Sequence, residues 1–139
     1  MRKYILVILL LLPTLVYGQD TTLIGHYYCN TALADLDYEI ELKSDSTFAY
    51  SCTTSWGGEY YNGVWTLKDG IIRLVSHDTT KTIKKYKWIQ KIPKNEIRKA
   101  KRRGTWSFLV KSRIIYNKNG ERIKIIPEFD KSPYLEFIQ

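Results

Sequence analysis

The sequence predicts an all-β fold, in which a single antiparallel meander of about eight strands closes into a barrel or packs as a β-sandwich. Three observations predict it: short segments of alternating apolar and polar residues, tight-turn sequences between them, and an aromatic content dominated by Tyr and Trp. These aromatic residues favour the pleated surface of a sheet. A chain of 139 residues, 44% of them hydrophobic, suits one domain with a core of its own.

The first 18 residues have the pattern of a secretory signal peptide. Two basic residues precede an apolar run at 4–12, and a proline and several small residues follow it. The run is shorter than the roughly 20 residues that a membrane-spanning helix needs. We therefore expect cleavage after Gly18, a secreted or periplasmic location, and a single mature domain, 19–139, without a transmembrane segment.

The first predicted hairpin joins two alternating segments, 38–42 and 47–52. A three-residue loop between them pairs Ile40 with Tyr50, so that both apolar sets share one face. A two-residue loop would shift the pairing by one residue and place the two sets on opposite faces, so we reject it.

The second predicted hairpin contains Asp69-Gly70, which is the signal of a tight turn between segments 64–68 and 71–75. This turn sets Trp65 opposite Leu74, so that both side chains face the same side of the sheet. The turn and the alternation therefore predict the same pairing.

The third predicted hairpin has Asn119-Gly120 as its turn and joins segments 105–118 and 121–126. A tight turn at this place aligns the apolar residues of both segments. The expected cross-strand pairs are Tyr116 with Ile123 and Ile114 with Ile125.

Two further strands are expected at 24–29 and at about 80–92, the second ending before Pro93. Segment 94–103 is either a short helix or a mobile loop, since its residue types permit a helix but supply only Ile97 and Ala100 to anchor one. Residues 81–103 thus form a basic insert of strand and loop within the domain.

Several of these segments resemble the small secreted lipocalin-like barrels of bacterial envelopes. The segments are Gly25-His26-Tyr27, then Leu42 to Phe48 with its Asp-x-Thr-Phe ending, then the Gly-x-Trp strand that begins at Gly63. The Gly-x-Trp element recurs at Gly104-Thr-Trp106. The resemblance covers about residues 24–76 and implies a lipocalin-like barrel, but it names no ligand.

The two cysteines, Cys29 and Cys52, form an even pair in a chain that we expect to be exported, which predicts a disulfide. If the strands follow their sequence order, the two lie two strands apart, roughly 10 Å, and a bridge spans at most about 7 Å. The bond therefore requires Cys29 to lie past its strand end or the two strands to be neighbours. His26 and His77 could complete a metal set with them, but the paired ligand spacing of structural zinc sites is missing, and we expect no metal or cofactor.

Catalytic patterns are weak. Ser76-His77-Asp78 are consecutive in the chain, and three consecutive side chains cannot converge as a triad. Glu39 and Glu41 lie about 7 Å apart on one strand face, where alternating exposed acids are the ordinary arrangement. No catalytic residue is predicted, and we expect a protein that is not an enzyme.

Segment 53–63 combines glycines with three large aromatic residues, Trp56, Tyr60 and Tyr61. Such a connection can line the mouth of a barrel and stack on a sugar or another planar group. Alternatively, Trp56 and Tyr61 plug the end of the barrel.

Charge is unevenly distributed along the chain. Segment 19–80 has a formal net charge of −6, whereas 81–103 carries eleven cations and a single acid, Glu96. The predicted anion-binding residues are Lys84, Lys85, Lys87, Lys91, Arg98, Lys101, Arg102 and Arg103. Export favours anionic lipid, lipopolysaccharide or polysaccharide as the ligand over nucleic acid. The alternatives are a solvated strand face and self-association with the acidic first half.

Two functions from different classes remain. The first is a binding module for an apolar or anionic ligand at the barrel mouth or the basic face. The second is a structural protein that pairs with a protein partner of the envelope. A lumen of a few hundred Å³ would favour the first function, and a filled core the second. The residues expected to line such a lumen are Tyr38, Phe48, Trp65 and Trp106.

Overall fold

The computed structural model describes residues 21–31, 36–79 and 81–138, so the expected signal peptide lies outside the described residues. Within them, a 3-10 turn (Thr21–Leu23) precedes nine strands and one helix. These are β1 (Gly25–Thr31), β2 (Leu36–Leu42), β3 (Thr47–Thr54), β4 (Gly57–Lys68), β5 (Ile71–Ser76), β6 (Thr82–Ile89), α1 (Lys94–Arg103), β7 (Val110–Tyr116), β8 (Arg122–Pro127) and β9 (Tyr134–Ile138). In the described ranges, no helix has the length and apolar character to span a membrane.

All nine strands pair antiparallel in one curled sheet of order β8-β7-β1-β2-β3-β4-β5-β6-β9. Strands β1 to β6 form a continuous meander, and the last part of the chain places β7 beside β1 and β9 beside β6. The backbones of Leu109 and Leu135 exchange two hydrogen bonds of 2.9 and 3.0 Å. The curled sheet forms a half-barrel, and this bridge links its β9 side to the start of β7. The predicted all-β meander is confirmed.

The first two hairpins have the predicted registers. Ile40 pairs with Tyr50 across β2 and β3, and Trp65 pairs with Leu74 across β4 and β5. Asp69 and Gly70 both have positive φ, 54° and 71°. Two such residues are what the tight turn of a twisted hairpin requires, which is why the turn sequence predicts the register correctly.

The third hairpin differs from the prediction. Ile114 pairs with Ile125 as expected, but a register shift pairs Tyr116 with Arg122, so its predicted partner Ile123 is wrong. The cause is Asn117, whose side-chain oxygen accepts bonds from two backbone amides of the turn, at 2.9 Å each. Its own amide donates to the Glu121 carbonyl at 2.8 Å, which makes the loop one residue longer than a two-residue Asn-Gly turn.

Segment 94–103 forms a helix, α1, which the sequence left open between a helix and a mobile loop. Gly104 ends it in the left-handed region, with φ 69° and an amide that donates to the Ala100 carbonyl at 2.9 Å. The buried Ala100 packs in a small second cluster, and Ile97 packs against that cluster. The other buried members of this cluster are Ile92, Val110, Phe129 and Tyr134.

The main core fills the inner face of the curled sheet. Its fully buried members come from the 3-10 turn and from β1, β2, β3, β5 and β9, and Trp65 of β4 joins them. Trp106, in the connection between α1 and β7, packs against both clusters. The connection is therefore held against the open end of the half-barrel.

Candidate functional site

A cavity of about 260 Å³ opens at this end of the half-barrel. Strands β1, β2, β3, β6 and β9 contribute to its wall, together with the connection before β7. The lining residues are Cys29, Thr31, Tyr38, Tyr50, Lys84, Tyr86, Ser107, Leu109, Leu135 and Phe137.

Strand alternation directs these side chains inward. Successive residues of a strand point to opposite faces of the sheet, so Tyr38 shares a face with the buried Ile40, and Tyr50 with the buried Phe48. By the same rule Lys84 lies on the face of the buried Tyr86. The cavity is therefore an extension of the core face that the core residues do not fill.

One cation faces this wall of aromatic and aliphatic residues. The Lys84 ammonium lies 5.9 Å from the centre of the Tyr50 ring and 5.2 Å from that of the Phe137 ring. Among the described residues that line the cavity, none is acidic. The described chain also places no carboxylate within salt-bridge distance of Lys84.

Apart from Lys84, the titratable groups of the wall are neutral. Burial raises the pKa of the Tyr50 and Tyr86 hydroxyls and raises that of the Cys29 thiol to about 12. Tyr50 is only 3% exposed, and its hydroxyl finds no hydrogen-bond partner in the described part of the chain. The cavity wall thus combines one positive charge, apolar side chains and a tyrosine, Tyr50, whose hydroxyl has no partner among the described residues.

The predicted disulfide is wrong for this structure, because both cysteines are free thiols. Cys29 and Cys52 each pair with Tyr38, from opposite sides of β2. A whole strand therefore separates the two sulfur atoms, and neither of the two conditions for a bridge is met. The Cys29 thiol instead donates to the Trp106 carbonyl at 3.1 Å, which fastens the cavity wall to β1.

The three aromatic residues predicted to bind a ligand do not converge. Their segment is a hairpin with Ser55 and Trp56 at its tip, not a long loop, since Thr54 pairs directly with Gly57. Trp56 is 98% exposed and Tyr60 is 70% exposed, so Trp56 does not plug the barrel. Only Tyr61 turns inward, where its ring centre lies 5.7 Å from that of Tyr50.

The predicted basic residues divide between two places. Lys84 lines the cavity, whereas Lys85 and Lys87 are exposed on the outer face of β6, and Lys91 is exposed beyond the strand end. The remaining four are on α1, namely Arg98, Lys101, Arg102 and Arg103. Glu96 is the one acid of α1 and pairs with Lys99 at 3.0 Å. Six cations against this one acid give the helix a strong positive charge.

An ionic cluster lies on the outer face of the sheet, where the sequence predicted two solvated acids. Glu39 accepts a hydrogen bond from Arg122 Nη1 at 2.7 Å and lies 3.1 Å from His26 Nε2. Burial alone would raise the pKa of Glu39, but the hydrogen bonds from His26 and Arg122 outweigh it and lower the pKa to about 2. Arg122 belongs to β8, so this cluster fastens the β7–β8 hairpin to the face of β1 and β2.

The residues considered for a metal set are not brought together. His26 points to the outer face, whereas Cys29 is inward, because the two are three residues apart on one strand. The described ranges hold no group of three or more His, Cys, Asp or Glu arranged to bind a metal ion.

Of the four residues expected to line a lumen, only Tyr38 does so. Phe48 and Trp65 are buried in the main core, and Trp106 packs beside it. Lys84 was predicted as a surface cation, although its spacing of two from Tyr86 was a signal for the inner face. Ser107, Leu135 and Phe137 were not among the residues predicted to line a lumen, although Trp106, beside Ser107, was.

Comparisons with known proteins give no match: no family model, no curated protein and no solved structure is similar to this chain. The resemblance to lipocalin-like barrels therefore stays a prediction.

Proposed function

We propose that this protein is a non-enzymatic binding module that holds a small, partly apolar molecule in the cavity at the open end of its half-barrel. The observation that carries the proposal is this cavity, with aliphatic and aromatic walls and a buried Tyr50 hydroxyl that has no hydrogen-bond partner within the described ranges. Buried polar groups are normally satisfied, and Tyr50 belongs to the cavity wall, so a ligand whose binding exposes this hydroxyl would satisfy it.

The size of the cavity limits the ligand. Its 260 Å³ lie close to the lower end of the range for small-molecule sites, about 300 Å³. A compact molecule with one ring or a short chain fits this volume, and a long lipid does not.

Closing the cavity with a large side chain tests the proposal. Benzyl alcohol and hexan-1-ol, followed by calorimetry and amide NMR shifts, are suitable neutral probes. Ser107→Trp, at the exposed rim, is expected to weaken binding of both at least about tenfold by filling their space. Thr66→Trp, exposed on the outside of β4, is the matched control and should bind like the wild type. Equal binding by all three proteins would contradict the proposal.

The proposal includes export, which is supported by the basic, apolar and small-residue pattern of the first 18 residues. Protein recovered from the periplasm or the medium should begin at Gln19 or within about three residues of it. Terminal sequencing that finds Met1 on the folded protein would contradict export and leave the cavity proposal unaffected.

A second candidate function is binding of a polyanion, favoured by the six cations and one acid of α1. Near an anionic membrane each engaged Lys or Arg contributes about 1 kcal/mol, so affinity should fall steeply as salt rises. The test is co-sedimentation with phosphatidylglycerol vesicles. A variant should lose binding when it carries the five substitutions Lys85→Gln, Lys87→Gln, Lys91→Gln, Arg102→Gln and Arg103→Gln. Unchanged binding would show that these cations form only a solvated face.

A further inference from the structure

We propose that the ligand of the cavity is a small organic monoanion, a carboxylate or sulfonate on an apolar body, whose acid group binds Lys84 and Tyr50. This inference rests on the proposed function and specifies its ligand class. It is carried by the charge and the hydrogen-bonding groups of the cavity wall.

Lys84 is the one cation among the described residues that line the cavity. The side chain is partly buried, lines the cavity, and has no carboxylate partner in the described residues. A cation beside apolar groups is unfavourable unless an opposite charge or hydrogen-bond acceptors compensate it. The rings of Tyr50 and Phe137 stabilise the cation through their faces, but they accept no conventional hydrogen bonds from the ammonium.

Tyr50 adds a hydrogen-bond donor, its hydroxyl, to the residues of the cavity wall. It is buried and unpartnered in the described part of the chain, and its raised pKa keeps it protonated at neutral pH. A protonated phenol can donate one hydrogen bond. An ammonium and a protonated hydroxyl both donate hydrogen bonds, so they suit a ligand group that is rich in acceptors. Hydrogen bonds to a charged acceptor are the stronger kind.

The charges around the cavity determine how much negative charge a ligand can carry and where that charge lies. With one cation in the described wall, a single negative charge is matched, and a dianion such as a phosphate monoester leaves one charge unpaired. Glu59 pairs with Cys52 on the inner face of the sheet and is exposed outside the lining. Burial raises the pKa of the Tyr50 hydroxyl, and the charge of Glu59, which also reaches Tyr50, helps to raise it. Because this carboxylate repels an anion, we expect the acid group on the Lys84 side of the Tyr50 hydroxyl.

The apolar part of the cavity wall determines what the rest of the ligand can be. Leu109 and Leu135 are joined by the bridge and line the cavity together with Phe137. These three side chains offer an apolar surface to a ring or a short alkyl chain. The site therefore fits an aromatic or short-chain acid.

The experiment compares charged and neutral isosteres on the intact protein. The probes are benzoate against benzamide and hexanoate against hexanamide, measured by calorimetry at pH 7 and low salt. The wild type should bind each acid at least about tenfold more tightly than its amide. Lys84→Met keeps most of the side-chain volume and should remove this preference, so that each acid and its amide bind within about twofold of each other. Tyr50→Phe should reduce it in part.

Lys85→Met is the matched control, because Lys85 is exposed on the outer face of the same strand. It should bind the acids like the wild type. If acid and amide bind the wild type equally, or if Lys84→Met keeps the preference, the monoanion inference is wrong and the cavity proposal stands. If none of the four probes binds and Ser107→Trp behaves like the wild type, both fall.

Discussion

Trp65 connects two hairpins through its side chain and its backbone. Its indole is 3% exposed and donates from Nε1 to the Lys43 carbonyl at 3.1 Å, and its amide donates to the Ser46 carbonyl at 2.8 Å. Both acceptors lie at the turn between β2 and β3. One residue of β4 therefore fixes this turn over the core.

Trp65→Ala is expected to lower the free energy of unfolding by about 3–5 kcal/mol, since it opens a large cavity and removes one of the two hydrogen bonds that the Lys43 carbonyl accepts. Urea titration followed by circular dichroism measures the change. Thr66→Ala, exposed on the next position of β4, should stay within about 0.5 kcal/mol. A loss below about 1 kcal/mol for Trp65→Ala would contradict the central position of this side chain.

Glu39 gives the protein a component of stability that depends on pH. Its pKa is about 2 in the folded protein, against an ordinary value of 4.5, because His26 and Arg122 hold the carboxylate ionised. A lowered pKa stabilises the folded state at pH values above the ordinary value, and this contribution is lost as the pH falls towards 2. The loss is about 1–3 kcal/mol after screening of the half-exposed Arg122 is considered.

Glu39→Gln should therefore be less stable than the wild type at pH 7, with the difference shrinking between pH 5 and 2. Urea titrations at pH 7, 4 and 2.5 measure it. Glu41→Gln, exposed on the same face of β2, is the control and should change little at any of these values. A constant difference between Glu39→Gln and the wild type across the series would show that the ionic cluster contributes nothing.

At the scale of elements, β4 can lie this close to β5 and to the Phe48 ring only because Gly63 has no side chain. A Cβ at this position would lie 1.9 Å from the Val75 carbonyl oxygen and 2.9 Å from the Phe48 ring. The carbonyl belongs to the neighbouring strand and cannot move without breaking the pairing of β4 with β5. Close approach between these strands is thus built into the backbone.

Gly63→Ala is expected to destabilise the protein by about 3 kcal/mol or more, or to prevent folding. Gly58→Ala, in the same strand, is the comparison, since its Cβ would come no closer than 3.1 Å to Cys52 O and Tyr60 Oη. Thermal unfolding and the yield of folded protein distinguish the two. Equal stability of the two variants would contradict a steric role for Gly63.

Elements that depend on local chemistry were predictable from the sequence. Asp69 and Gly70 carry the turn conformation in their own backbones, so the register of β4 and β5 followed from four or five residues on either side. Asn117 shows the limit, because its side chain replaced a two-residue turn by a longer one. The sequence of 94–103 does not decide between a helix and a loop, because the side chains that anchor α1, Phe129 and Tyr134, lie some 30 residues farther along the chain.

The candidate site was less predictable than the fold. Its wall is built from strands distant in sequence, and β9, with Leu135 and Phe137, was not predicted at all. Alternation could have placed Lys84 on the inner face, but it could not show what lies opposite. Charge alone grouped this lysine with the surface cations, although its neighbours in space are aromatic rings.

At the scale of the whole molecule, Trp106 joins the two hydrophobic clusters. Its ring contacts Tyr28 and Phe129, with ring centres 5.7 and 5.1 Å away. Its Nε1 donates to the Tyr28 carbonyl at 3.2 Å, and its amide donates to the Asn30 carbonyl at 2.7 Å. These bonds couple α1 and the cavity wall to β1.

Trp106→Ala should therefore separate the unfolding of the two clusters. In the wild type we expect melting curves from far-ultraviolet circular dichroism and Tyr and Trp fluorescence to coincide, as in one cooperative transition. In the variant the curves should diverge, because the second cluster opens first. Trp56→Ala, which removes a 98% exposed side chain, is the control. Coincident curves for Trp106→Ala would contradict the coupling.

The position of β7 between β1 and β8 has a consequence for the order of folding. Strands β1 to β6 pair with their neighbours in sequence, but Tyr28 meets Val110 only after the chain has closed a loop of about 80 residues. Because closing so long a loop costs entropy before any contact is gained, we expect this contact to form late on the folding pathway. Val110→Ala should therefore accelerate unfolding and leave the refolding rate nearly unchanged, whereas Leu74→Ala, within the meander, should slow refolding.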